Sequence, residues 1–211
     1  MYKILVIDDH QIVHFGIKQL LYRNNIQATL QSVANGNQLI NKIKENKYDL
    51  VILDINVPGV DSFGLIHLAL SINPDLKILV FTVAAEDVYA DRYYKAGVYG
   101  FLNKQADDKQ IVTVLKQIMI DKKKYLSPEF INKMYTIQNH DSKGNPFESL
   151  TEKELEISLH LIRGESISDI SKAMSLHTST IGTHKARIFQ KLGIENIIDL
   201  NNLANLYGIS G

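Results

Sequence analysis

Five polar residues carry the chemistry of this sequence: Asp8, Asp9, Asp54, Thr82 and Lys104. Each follows a short apolar run. Ile4-Leu5-Val6-Ile7 precedes the acidic pair, Leu50-Val51-Ile52-Leu53 precedes Asp54, Ile78-Leu79-Val80-Phe81 precedes Thr82, and Phe101-Leu102 precedes Asn103-Lys104. Such runs read as strands buried on both faces, as in a parallel sheet, where chemistry gathers just beyond the carboxyl ends of the strands. Three carboxylates brought to one edge repel one another unless a cation intervenes. Their all-oxygen donor set suits Mg²⁺, which keeps several waters and pairs with phosphoryl oxygens. Lys104 adds a second positive charge and Thr82 a hydroxyl, so the set fits transfer of a phosphoryl group onto the Asp54 carboxylate. Taken singly, each residue has an ordinary reading: a turn former or helix cap, a solvated acidic pair, a threonine favoured by strand geometry. Their joint placement on four strand ends is what points to a site.

The elements that must position them follow from the pattern of the first 120 residues. Strands are expected at Lys3–Ile7, Ala28–Val33, Leu50–Leu53, Lys77–Phe81 and Val98–Leu102. Between them lie stretches with apolar residues at helical spacing, such as Ile17, Leu20 and Leu21 or Leu39, Ile40 and Ile43. Asn24-Asn25, Pro58-Gly59, Asn73-Pro74 and Gly97 punctuate the alternation. Five strand–helix repeats predict a doubly wound parallel sheet.

Residues 1–121 resemble the receiver domain of two-component response regulators, on the strength of Asp8-Asp9, Asp54 with the Pro58-Gly59 turn, Thr82 and Lys104. The resemblance implies a flavodoxin-like α/β fold and a phosphoryl group taken from a sensor histidine kinase, with Asp54 as acceptor. It further implies Mg²⁺ held by Asp9, Asp54 and the main-chain carbonyl of Asn56, with Asp8 acting through a metal-bound water. On the same resemblance Thr82 and Lys104 are expected to contact the phosphoryl group, and Phe101 to be the switch aromatic that turns inward as Thr82 moves toward the phosphate. Gln105 stands where many receivers have proline, Val83 where a small residue is common, and Val57 and Ser62 replace the more usual Met and Gly.

Past the basic run Lys122-Lys123-Lys124, Ser127-Pro128 is a helix start, and the polar, breaker-rich stretch from Gln138 to Pro146 is a linker. The expected division is therefore a receiver at 1–121, a linker with a short helix at 122–148, and a second domain at 149–211. That domain reads as wholly helical. Thr151-Glu152-Lys153-Glu154 is a capping box, and helices are expected up to Gly164, from Ser166, from about Thr178 to Leu192, and from Asn196. Two short helices about a tight turn, inside four, make a helix-turn-helix. On the third helix Ile181, Ile188 and Leu192 share the inward face. Thr178, Ser179, Gly182, Thr183 and Ala186 face outward, flanked by Lys185, Arg187 and Lys191, a pattern compatible with the major groove and also with a merely solvated face.

Residues 150 to about 207 resemble the LuxR-type helix-turn-helix through Leu150-Thr151, Glu154, Glu156, Gly164, Ile170, Leu176, Thr180-Ile181, His184 and Lys191-Leu192-Gly193. The whole chain thus resembles a NarL/FixJ-subfamily response regulator, which implies double-stranded DNA as partner and a homodimer, at least on DNA, through Leu200, Leu203 and Leu206. Gly182 departs from the usual Lys and His177 from the usual Ser cap. Residues 150–211 hold six Lys/Arg against seven Asp/Glu, a net of −1, so modest monomer affinity is expected.

The totals add boundaries. With 23 Lys+Arg against 23 Asp+Glu, any nucleic-acid binding must come from local charge. The absence of cysteine excludes disulfides and thiolate metal sites, and no apolar run approaches the roughly 20 residues of a membrane span. With no signal-peptide layout at Met1-Tyr2-Lys3-Ile4, a cytoplasmic transcription factor is the leading expectation. It is not an enzyme beyond its own aspartyl phosphorylation and dephosphorylation. A receiver whose effector binds protein is the second reading. A small-molecule phosphohydrolase is the third, and the sequence offers it neither a general acid/base near Asp54 nor a substrate pocket.

Overall fold

The computed structural model describes residues 1–137, 145–207 and 209, so most of the breaker-rich linker stretch, 138–144, lies outside the described residues. The chain divides into two compact units, Met1–Thr136 and Ile137–Gly211. The first is built on five parallel strands, β1 (Tyr2–Ile7), β2 (Ala28–Val33), β3 (Leu50–Leu53), β4 (Ile78–Thr82) and β5 (Gly100–Asn103), in the order β2-β1-β3-β4-β5. Five helices alternate with them: α1 (Gln11–Arg23), α2 (Gly36–Glu45), α3 (Ser62–Ile72), α4 (Glu86–Lys95) and α5 (Asp108–Met119). This is the doubly wound flavodoxin-like order.

Every residue of β3 and β4 is buried, which is why these strands read as unbroken apolar runs. Burial of each Leu, Val or Ile contributes roughly 1.5–3 kcal/mol. One layer of the core packs Ile4, Val6, Ile52 and Leu79 against Val114 and Ile118 of α5. The helices begin where the sequence supplies a short acceptor: the side chains of Asn35, Asp61 and Asp107 accept from the backbone N–H groups of Gln38, Gly64 and Gln110.

The connector helix α6 (Pro128–Ile137) starts on Ser127, whose Oγ accepts from the Phe130 N–H at 3.0 Å. Order β2-β1-β3-β4-β5 leaves β5 at a sheet margin, and the chain after α5 covers part of it. The Tyr125 N–H donates to the Tyr99 carbonyl at 2.7 Å. The Tyr94 hydroxyl donates to the Tyr125 carbonyl at 2.8 Å and accepts from the Phe101 N–H at 3.1 Å. Tyr94 also packs on Phe130, ring centroids 4.7 Å apart, so α4, β5 and α6 meet at one phenol. Burial pushes the Tyr94 hydroxyl well above the usual tyrosine range, which keeps it a donor.

The second unit is helical: a 3₁₀ turn at Pro146–Ser149, then α7 (Glu152–Ile162), α8 (Ile167–Ala173), α9 (Thr178–Leu192) and α10 (Ile197–Leu206). The capping box forms as its sequence predicts, Thr151 and Glu154 each bonding the other's backbone N–H. Ile157, Ile170, Ile181, Ile188 and Leu200 are fully buried and make the core. Gly193, at φ 66°, ends α9 in the left-handed conformation that glycine adopts without strain.

Candidate functional site

Register explains how the strand ends converge. Ile7 lies opposite Leu53, and the Asp54 N–H donates to the Ile7 carbonyl at 2.9 Å, so Asp8 and Asp54 leave neighbouring strands side by side. Thr82 lies opposite Asn103, and the Lys104 N–H donates to the Thr82 carbonyl at 2.8 Å. The Lys104 ammonium then reaches back over the sheet end, 2.6 Å from Asp54 Oδ2 and 2.7 Å from Asp8 Oδ2. Asp54 is only 3% exposed, and its other oxygen accepts the Asn56 N–H at 3.0 Å. Burial disfavours the charged Lys104, but its bonds to Asp54 and Asp8 outweigh this and hold its pKa above the usual lysine value. Thr82 is fully buried, and its hydroxyl oxygen accepts the Ala84 N–H at 3.3 Å.

Asp9 is more open, and with Asp8, Asp54 and His10 it places one ligand atom per residue within 4.8 Å of the others. Carboxylates from Asp8, Asp9 and Asp54 are a donor set that fits a hard divalent cation. His10 was not among the residues singled out from the sequence, where the set reads as all-oxygen. Its position directly after the acidic pair was the available signal. Phe101, expected as the switch aromatic, is fully buried beside Tyr93, with ring centroids 6.2 Å apart, and so points inward in this structure. Val83 is exposed, and no cis peptide bond occurs among the described residues, the Lys104–Gln105 link included.

On α9, Thr178, Ser179, Thr183, Ala186 and Arg187 are exposed, while Gly182 and Lys185 are half-buried. The Thr183 hydroxyl donates to the Ser179 carbonyl at 3.0 Å, and the Lys185 ammonium lies 5.3 Å from the centre of the Phe189 ring. Lys191 is exposed, as a flanking residue should be, but it is not free: its ammonium is 2.6 Å from Glu154 Oε2 and 3.2 Å from the Ser149 carbonyl, so it also braces α9 against α7. Glu154 is 3% exposed. Burial raises its pKa, but the bonds from Lys191 and Thr151 prevail and hold it below the usual carboxylate range. Leu200 is a correction: it is 0% exposed, a core residue unavailable to a partner, because α10 packs against α7. Leu203 is half-buried, the Leu206 side chain lies outside the described residues, and Ile198 is a large apolar residue that α10 exposes. His184 is half-buried, its Nδ1 without a hydrogen-bond partner among the described residues.

Comparison with known proteins agrees with this anatomy. The response regulator receiver domain model matches residues 4–116, and the model of bacterial regulatory proteins of the luxR family matches residues 148–204. The response regulator GacA of Pseudomonas aeruginosa is 32% identical, covering 99% of this chain and 98% of that protein. The response regulator UvrY of Escherichia coli is 27% identical, covering 99% and 96%. Among solved structures, RcsB from Salmonella enterica serovar Typhimurium, bound to promoter P1flhDC in the presence of the phosphomimetic BeF3-, aligns at 24% identity with a TM-score of 0.59. That alignment covers 96% of this chain and 97% of RcsB and bears on the fold. The chain belongs to the two-component response regulators of the NarL/FixJ subfamily, a receiver domain joined to a LuxR-type helix-turn-helix of the kind that binds DNA and regulates transcription. No helix among the described residues is long and apolar enough to cross a membrane.

Proposed function

We propose that Asp54 accepts a phosphoryl group from a sensor histidine kinase and that the phosphorylated chain binds DNA as a dimer. The observation that carries this reading is the lysine bridge: a buried carboxylate held at 2.6 Å by a cation anchored on another strand end. Transfer breaks the N–P bond of the donor phosphohistidine and forms an O–P bond to Asp54. Burial and the Asn56 N–H hold the Asp54 carboxylate in place for attack. Lys104 exchanges part of its contact with Asp8 and Asp54 for a phosphoryl oxygen, as a point charge on the transferred group. The Thr82 hydroxyl hydrogen donates to a second phosphoryl oxygen. Asp9, Asp54 and the Asn56 carbonyl would hold Mg²⁺ with Asp8 close behind, and the ion would neutralise charge gathering on the transferred group. Phosphorylation favours the arrangement with Phe101 inward, and the shift passes to the second domain. The chain turns over no external substrate.

A kinase needs a surface beside the acceptor. On α1, Ile12, Phe15 and Tyr22 are exposed, and a cleft of about 360 Å³ between α1 and α5 takes in Ile12, Gly16, Leu20, Ile111 and Lys104. This apolar strip is the docking face that we assign to the kinase. On DNA, Ser179, Thr183 and Ala186 face the groove, and Lys185 and Arg187 meet phosphates. A second reading, an effector that binds protein, draws on the charge bookkeeping of this domain: Lys153, Arg163 and Lys191 are each paired with a carboxylate.

Intact mass after incubation with Mg²⁺ and acetyl phosphate tests the receiver. One phosphoryl adduct is expected, and it disappears in Asp54→Asn. An adduct that persists in that variant overturns the assignment. A gel-shift titration of the phosphorylated chain on promoter fragments of its own genome, beside Arg187→Ala, separates DNA binding from the protein-binding alternative.

A further inference from the structure

We infer that His10 supplies an imidazole donor to the cation site and gives it a preference for Mn²⁺ and similar borderline cations over Mg²⁺. The inference rests on the metal-binding reading of Asp9 and Asp54 proposed above, and it concerns a residue that this reading does not use. His10 occupies the N-cap position of α1 but makes no side-chain capping bond. Its ring is instead turned back onto the acidic pair. Nδ1 lies 2.7 Å from Asp9 Oδ1 and 3.2 Å from Asp8 Oδ1, while the His10 backbone N–H donates to Asp8 Oδ1 at 2.9 Å. The Asp8 side chain is 3% exposed and fixes that end of the turn, so the backbone carrying the imidazole is anchored even though the ring itself is 63% exposed.

Placement and chemistry then combine. Ligand atoms of Asp8, Asp9, His10 and Asp54 fall within 4.8 Å of one another, a spread that ligands on one six-coordinate ion of bond length about 2.1 Å can close with small rotations. An imidazole nitrogen adds little for Mg²⁺, which prefers oxygen and keeps its waters. It adds more along the series from Mn²⁺ toward Co²⁺ and Zn²⁺, for which imidazole is a suitable ligand. In the structure Nδ1 is placed to donate an N–H to Asp9; a ring carrying its proton on Nε2 instead would offer the Nδ1 lone pair to Mn²⁺, and the Asp9 oxygen it leaves would be free to bind the same ion. The site would then hold two carboxylates, one carbonyl and one imidazole, a mixed donor set distinct from an all-oxygen pocket.

The test uses the full chain at pH 8 with Mn²⁺ as probe. Loss of the free Mn²⁺ electron paramagnetic resonance signal gives its affinity, competition gives that of Mg²⁺, and electron spin-echo modulation reports a directly bound ¹⁴N. The wild type is expected to show one Mn²⁺ site with nitrogen modulation. His10→Gln, at an exposed position, should lose the modulation and weaken Mn²⁺ by about tenfold while Mg²⁺ changes by less than about threefold. Mn²⁺ bound without nitrogen modulation, or an unchanged Mn²⁺/Mg²⁺ ratio in His10→Gln, overturns the role of His10 and leaves the acidic site standing. A wild type that binds neither ion, or an Asp9→Asn variant that binds both as the wild type does, overturns the site reading and this inference with it.

Discussion

Replacing Lys191 by Met separates a structural lysine from a DNA-contacting one. In the structure its ammonium lies 2.6 Å from a carboxylate that is 3% exposed, and the remaining partner of that Glu154 oxygen is the Thr151 N–H at 2.8 Å. Stripping one partner from a buried ion pair costs about 3–5 kcal/mol. Here the Lys191 side chain is 38% exposed, so water already shares its charge, and the Thr151 bond survives. The cost is better set by one charge-assisted hydrogen bond, discounted for that exposure, at about 1–2 kcal/mol. Hydrogen exchange of the full chain should therefore show α7 and α9 amides losing about 5- to 30-fold in protection. The pH dependence has a fixed sign. A carboxyl held below its ordinary pKa contributes stability that is present above about pH 4.3 and is lost as pH falls through the lower folded value. The gap between wild type and Lys191→Met should consequently be widest near neutrality and shrink in acid, while Glu154→Gln should bring the two backgrounds together. Unchanged protection in Lys191→Met, joined to a shallower salt dependence of DNA binding, would refute the bracing role and restore Lys191 to the phosphate-contacting set.

Three further outcomes follow from the same geometry. Lys104→Met leaves Asp54 and Asp8 without their shared cation and should lower receiver stability by about 2–4 kcal/mol, partly recovered by millimolar Mg²⁺; equal melting of variant and wild type without metal argues against the bridge. Tyr94→Phe removes the hydroxyl that joins the Phe101 N–H to the Tyr125 carbonyl, so it should cost about 1–3 kcal/mol and speed exchange at the Phe101 amide, measured by nuclear magnetic resonance. On α9, His177 gives no side-chain cap and Gly182 has open space around its would-be Cβ, so His177→Ser and Gly182→Ala should each stabilise the helix by about 1 kcal/mol in urea unfolding; a loss in either would show that the residue serves another contact.

Much of this anatomy is legible in the residues because local rules and tertiary demands coincide. Strands β3 and β4 are buried throughout, so their apolar runs identify them, and their ends could be located to the residue that matters. The capping box at Thr151 and the cap at Ser127 are short-range motifs, readable for the same reason. Pairings between elements are another matter. Glu154 reads as a capping residue and Lys191 as an outward cation, and nothing in either local pattern says that one carboxylate serves both the cap and the lysine 37 residues on. Leu200 fails for a related reason: α10 carries apolar residues on more than one side, and which side closes the core depends on how α10 meets α7. His10 is hidden because the residue type and its place after the acidic pair do not say where the ring points, and that direction is set by the turn that follows β1.

The seam along β5 bears on how such regulators can be taken apart and recombined. The segment that follows α5 is sewn to the receiver by the Tyr125 N–H, the Tyr94 phenol and the Phe130 ring. A fragment cut at Asp121 would bare a strand margin whose donors and acceptors invite another chain to pair. A chimera joined at that point would also inherit a foreign selvedge in place of its own. The portable module is thus the sheet together with its hem, and a graft that exchanges receivers between regulators should carry the native chain through α6 to keep the exchanged part self-contained.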